Sequence, residues 1–110
     1  MFNMMNMMGK LKEIQKKMDE VQDNLSRLHA FGEAGAGMVK VTVTGKRQVI
    51  SVEIDPSILQ PKDQQMVQDL IVAAANKALD AADEMAKEEV RKSTGGLLNI
   101  PGLDLSSFSR

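Results

Sequence analysis

Apolar residues at Met7, Leu11, Ile14, Met18, Val21, Leu25 and Leu28 recur at alternating intervals of four and three, and Met4 extends the series backwards. That spacing predicts one amphipathic helix over residues 3–28, about 39 Å long at roughly 1.5 Å per residue. The stripe is narrow, closer to a coiled-coil seam than to an ordinary core-facing helix. With Leu11 as an a position, Lys10 and Lys17 take g while Gln15 and Gln22 take e, so nothing fixes a parallel zipper. The expected cover is other helices or the sheet, within a dimer.

The period then changes. FGEAGAG at 31–37 breaks the helix and permits turns, and part of it is a candidate short edge strand. In MVKVTVTG, Val39, Val41 and Val43 alternate with Lys40, Thr42 and Thr44; in QVISVEID, Ile50, Val52 and Ile54 return in phase after a turn at Gly45, Lys46 and Arg47. The pair predicts an antiparallel hairpin over 38–55 with one apolar face. A lone hairpin is marginal in water, so that face needs helices over it and its edges need another strand.

Asp55 and Pro56 end the second strand. A second helix is predicted over 62–92, with Val67, Leu70, Ile71, Ala74, Ala78, Ala81, Ala82 and Met85 on one side and alanines that allow close packing. Gly95 and Gly96 stop it. The remainder of 93–110, with LLNIPGLDLSSFSR, has no periodicity and is expected to be a flexible tail. The chain thus reads as a single α+β domain of order α-β-β(-β)-α, with long helices at both ends of a small antiparallel sheet.

Composition narrows the options. A single domain of 110 residues buries only about two-thirds of its unfolded surface, which makes a homodimer the natural expectation. There is no cysteine, removing disulfides, thiol catalysis and thiolate metal sites, and fitting a reducing cytoplasm. MFNMMNMMGK lacks the basic region, apolar core and cleavage site of a secretory signal, and no run of about 18 uncharged apolar residues is present. Neither membrane insertion nor a membrane partner is expected.

The net charge of −1 conceals a gradient. Residues 1–17 sum to +3 through Lys10, Lys12, Lys16, Lys17 and Glu13; residues 56–90 sum to −4; residues 91–110 sum to +2 through Arg91, Lys92, Arg110 and Asp104. Both ends are basic around an acidic middle.

Catalytic chemistry is thin. The one histidine, His29, sits at the predicted helix end with no second imidazole or thiol at ligand spacing, which suits capping or surface exposure rather than a metal site or a triad. Glu53 and Asp55 share a strand face and read as a polar face and a strand-ending turn. GEAGAG and TGK lack the strand-loop-helix context and the Gly-Lys-Ser/Thr of a phosphate loop. The aromatics Phe2, Phe31 and Phe108 make no base-stacking platform. No enzyme activity, cofactor, metal or small-molecule substrate is expected.

Four segments change the picture: GEAGAGMVKVTVTG at 32–45, VEIDPSIL at 52–59, DLIVAAANKAL at 69–79 and TGGLLNIPGL at 94–103. In this order and spacing, behind a lysine-bearing, methionine-rich first helix, the sequence resembles the YbaB/EbfC family of bacterial nucleoid-associated proteins. The resemblance implies a homodimer with a shared β-core and protruding helices that binds double-stranded DNA and alters its conformation, in the cytoplasm at the nucleoid. Roles in nucleoid organisation, gene regulation and DNA protection go with it. The acidic second helix departs from this picture.

Lys10, Lys12, Lys16 and Lys17 lie outside the seam of the first helix, and Arg91 and Lys92 close the second. These six are the expected phosphate contacts, with Gln15 as a polar contact on the first helix. Such contacts position a protein without reading bases. The competing reading is a prefoldin-like coiled-coil holding chaperone or interaction scaffold, with the Met-rich start as its client surface.

Overall fold

Met4–Arg27 form one helix, α1, built from Met, Lys, Leu, Glu and Gln, all strong helix formers, and containing only two β-branched residues. The computed structural model describes residues 4–94. The helix closes against a turn: the Gly45 amide donates to the carbonyls of Leu25 (3.0 Å) and Leu28 (2.9 Å), satisfying acceptors that a helix C-terminus leaves open.

Three strands follow, β1 (His29–Ala34), β2 (Val39–Thr44) and β3 (Val49–Ile54), in one antiparallel sheet of order β1-β2-β3. The glycine segment therefore contributes the last four residues of a six-residue strand. His29 is exposed and opens β1 opposite Thr44, so it does not end or cap the helix as its position suggested. Turning from β1 to β2 takes three successive residues of positive φ: Gly35 at 65°, Ala36 at 54° and Gly37 at 87°.

Register places Ala30, Gly32 and Ala34 opposite Val43, Val41 and Val39. On the other side Val39 faces Ile54 and Val41 faces Val52, but the pairing then shifts and Val43 faces Val49. The alternation Ile50-Val52-Ile54 is thus broken at its first member. A bulge explains it, since one extra residue moves every position beyond it by one.

After β3, Asp55 caps a short 3-10 turn at Pro56–Ile58, its carboxylate accepting from the Ser57 amide at 2.8 Å. That bond holds the Asp55 carboxyl below its ordinary pKa. A second such turn, Pro61–Asp63, leads into α2 (Gln64–Thr94). Ser93 and Thr94 belong to this helix and not to a tail; residues 95–110 lie outside the described part.

The core is a small-residue contact. Ala74, Ala78 and Ala82 of α2 lie fully buried over Ala30, Ala34, Val39, Val41 and Val43. A Cβ on Gly32 would strike the backbone of Ala74 and Ala78, so only glycine admits the helix at this distance. α2 lies over β1 and β2 and barely touches β3. Consequently Val49, Ile50 and Val52 stay 54%, 49% and 44% exposed.

Candidate nucleic-acid interface

α2 runs antiparallel to β1, because Gly35 meets Leu70 while Gly32 meets Ala74 and Ala78. Beyond Ala82 it passes the β2–β3 turn, where the Arg47 guanidinium binds both carboxylate oxygens of Asp83 at 2.8 and 2.9 Å. Since α1 enters β1 at the same end, the rest of α2 travels back alongside α1 as an antiparallel pair. Val21 and Leu25 are buried there, Ile14 and Met18 half-buried, and Met85, Ala86, Glu89 and Val90 half-buried on the opposing helix. The sheet is the body, and this helix pair is an arm projecting from it.

Lys10, Lys12, Gln15 and Lys16 are exposed on the arm, whereas Lys17 is half-buried. No ion pair among the described residues engages these lysines. At about 100° per residue, Lys10 and Lys17 share a flank of the seam, Lys12 and Lys16 share the back of the helix, and Gln15 lies on the opposite flank from Lys17. The five do not form one face.

Their charge environments also differ. Lys12 has no acid three or four residues away; Lys10 has Glu13; Lys17 has Glu13 and Glu20; Lys16 has Glu13, Asp19 and Glu20. The least opposed positive charge therefore gathers at the arm's outer part, around Lys10 and Lys12.

On α2, Lys92 is exposed, while Arg91 donates to Glu88 at 2.7 Å in a pair whose side chains are 73% and 48% exposed. A pair so exposed holds the guanidinium weakly. The exposed line Asp80, Glu84 and Glu88, four residues apart, gives α2 an acidic face.

Sequence reasoning passed over two features. Arg27 and Lys46, both exposed, belong to the arm's root, because the turn containing Lys46 docks on the end of α1 through the Gly45 amide. No one-dimensional spacing announces that proximity. Lys40 sits over the ring of Phe31, with Nζ 4.7 Å from the centroid, on adjacent strands of the sheet face turned away from α2. Phe31 is 52% exposed there, a single aromatic held by a cation. Among the described residues no group of acids and histidines is arranged to hold a metal, and no helix is long and apolar enough to cross a membrane.

Comparison with known proteins adds a second line of observation. A "Nucleoid-associated protein" of Chlorobium chlorochromatii (strain CaD3) is 52% identical over 97 residues, covering 88% of this chain and 86% of that one. One from Alkaliphilus metalliredigens (strain QYMF) is 46% identical over 101 residues, covering 92% and 88%. Among solved structures, the crystal structure of uncharacterized protein HP0035 from Helicobacter pylori superposes with a TM-score of 0.75 at 22% identity, covering 86% of this chain and all of that one. That likeness establishes the fold: a long N-terminal helix, three antiparallel strands and a long C-terminal helix. The YbaB/EbfC DNA-binding family model matches residues 1–97, and the chain belongs to that family.

Proposed function

We propose that this protein binds double-stranded DNA as a homodimer, using its helical arms to hold phosphates and change the path of the duplex at the bacterial nucleoid. The observation that carries the reading is the exposed pair Lys10 and Lys12, with Glu13 the one acid a turn from either, on an arm that projects from the body, in a chain of a DNA-binding family. Lys16, Lys17, Arg91 and Lys92 add weaker or more shielded contacts, and Gln15 a neutral one. Contacts of this kind recognise backbone charge, so broad sequence tolerance follows.

The dimer is argued from the sheet. β3 is an edge strand whose Val49, Ile50 and Val52 are roughly half exposed. An open apolar edge of this kind invites pairing with another chain. A second copy placed there covers the edge and supplies a second arm, and two weak phosphate-binding arms on one rigid body bind far better than either alone.

The test is fluorescence anisotropy of a labelled duplex of about 30 base pairs at about 50 and 200 mM salt, beside a variant carrying Lys10, Lys12, Lys16 and Lys17 changed to Gln. Binding that weakens steeply with salt and is largely lost in a folded, dimeric variant supports the reading. Absence of binding by the unmodified protein at the lower salt defeats it.

A further inference from the structure

Along α1 the apolar stripe loses its cover in step with the end of α2. Val21 and Leu25 are buried, Met18 and Ile14 half-buried, and Leu11 and Met7 are 62% and 47% exposed. Two contacts set the level of the helices. Gly45 bonds to Leu25, and Arg47, two residues on in the same turn, pairs with Asp83, so Leu25 and Asp83 stand at similar heights. At about 1.5 Å per residue in opposite directions, Thr94 then comes beside roughly residue 14 of α1. Beyond that level the stripe is exposed at Leu11 and Met7, a length of about 10 Å along the helix.

The chain continues from this same point. Residues 95–110 read GGLLNIPGLDLSSFSR: two glycines, then Leu97, Leu98, Ile100, Leu103 and Leu105, with Asp104 the one charge before Arg110. An extended backbone covers about 3.3 Å per residue, so residues 97–103 reach roughly 23 Å, more than the bare length.

We propose that residues 97–105 dock on the Met7–Leu11 stretch of the α1 stripe within the same chain, taking over where α2 ends. A tethered segment starting beside its site has an effective concentration in the millimolar range, which a second copy does not match. The site suits an irregular occupant, since methionine side chains repack around what they meet. Another α1 suits it less: the flanks of the stripe carry no complementary charges to register a helix. Docking here leaves Lys12, on the far side of α1, free. The arm then has an apolar inside along its whole length and basic residues outside.

The chain contains no tryptophan, so Leu11→Trp places a single reporter on the stripe. Its emission and acrylamide quenching are measured in the full chain, in the chain ending at Gly96, and in the full chain carrying Leu97→Ser, Leu98→Ser and Ile100→Ser. Unchanged amide shifts in β1–β3 certify the body in all three. The expected result is blue-shifted emission and several-fold weaker quenching in the first protein only. Equal quenching in the first two overturns the proposal, whether the stripe is bare or covered by another copy's helix. Addition of excess unmodified protein to the shortened reporter is the second arm: protection restored there assigns the segment to another copy and overturns docking within the chain. None of these readouts involves DNA, so the outcome is independent of the binding assay.

Discussion

Replacing Lys10 and Lys12 by glutamine should weaken DNA binding more than replacing Lys16 and Lys17, although each double variant removes the same formal charge. The asymmetry comes from the neighbours: Glu13, Asp19 and Glu20 lie one helical turn from Lys16 or Lys17, while Lys12 has no acid three or four residues away and Lys10 only Glu13. Lys17 is also half-buried against α2. If Lys10 and Lys12 of both subunits each neutralise a phosphate, they account for four released counterions. At about 0.9 per phosphate, the slope of log K against log salt then becomes shallower by about 3.6 in the Lys10→Gln, Lys12→Gln protein. Over a change from 50 to 200 mM salt, that slope difference is worth roughly 150-fold in affinity. The assay is anisotropy on one duplex at four salt concentrations, with sedimentation confirming that each variant keeps the parent's subunit state. The Lys16→Gln, Lys17→Gln protein should lose less than half as much slope. An equal or larger loss from that pair refutes the reasoning, because acidic neighbours would then not be screening these lysines from phosphate.

Other consequences follow from the body. Val52→Asp puts a charge on the exposed part of β3 without touching the buried core; the fold should survive by circular dichroism while sedimentation shifts from dimer to monomer, and an unchanged dimer rules this face out as the interface. Gly32→Ala drives a methyl into the Ala74 and Ala78 backbone and should cost at least about 3 kcal/mol in urea unfolding, the upper end of ordinary overpacking, since backbone cannot rotate aside as a side chain can. Gly9→Ala meets nothing within 4 Å and should instead gain up to about 1 kcal/mol of local helix stability, read as slower amide exchange in the arm. The Asp55 carboxyl has a folded pKa below its ordinary 3.8, chiefly through the Ser57 amide bond. Its contribution is therefore full above the ordinary value and lost as pH falls through the lowered one. Asp55→Asn should accordingly flatten the acid limb of the stability curve in that window and leave the neutral region less affected.

The element order and the two long helices were legible because their signals are local. A three-four spacing and a two-residue alternation each need only a few consecutive side chains to declare themselves. β1 was harder. In HAFGEA only Ala30, Gly32 and Ala34 turn inward, and such small residues carry almost no apolar signal. They are small because α2 passes directly over them, a fact belonging to a helix more than 40 residues further along. The sequence therefore looks like a turn where the structure needs its tightest contact. The same cause hid the bulge: Val49, Ile50, Val52 and Ile54 are all apolar, and which of the first two faces Val43 is decided by pairing and not by composition.

For the arm, the lysines could be named from the sequence but not ranked. Treating Lys10, Lys12, Lys16 and Lys17 as one basic cluster counts charge along the chain, whereas a duplex meets a helix from one side. On the helix the four divide between a flank and the back, and the acids at one-turn spacing divide them again. The acidic second helix fits the same geometry. Its exposed line Asp80, Glu84 and Glu88 begins alongside the root of the arm. DNA approaching the root meets that line, and DNA approaching the outer part of α1 meets Lys10 and Lys12 first. On the proposed reading, the acidic line disfavours phosphate along α2, Arg27 and Lys46 offset it at the root of α1, and the outer turns of α1 present Lys10 and Lys12 with the least opposition.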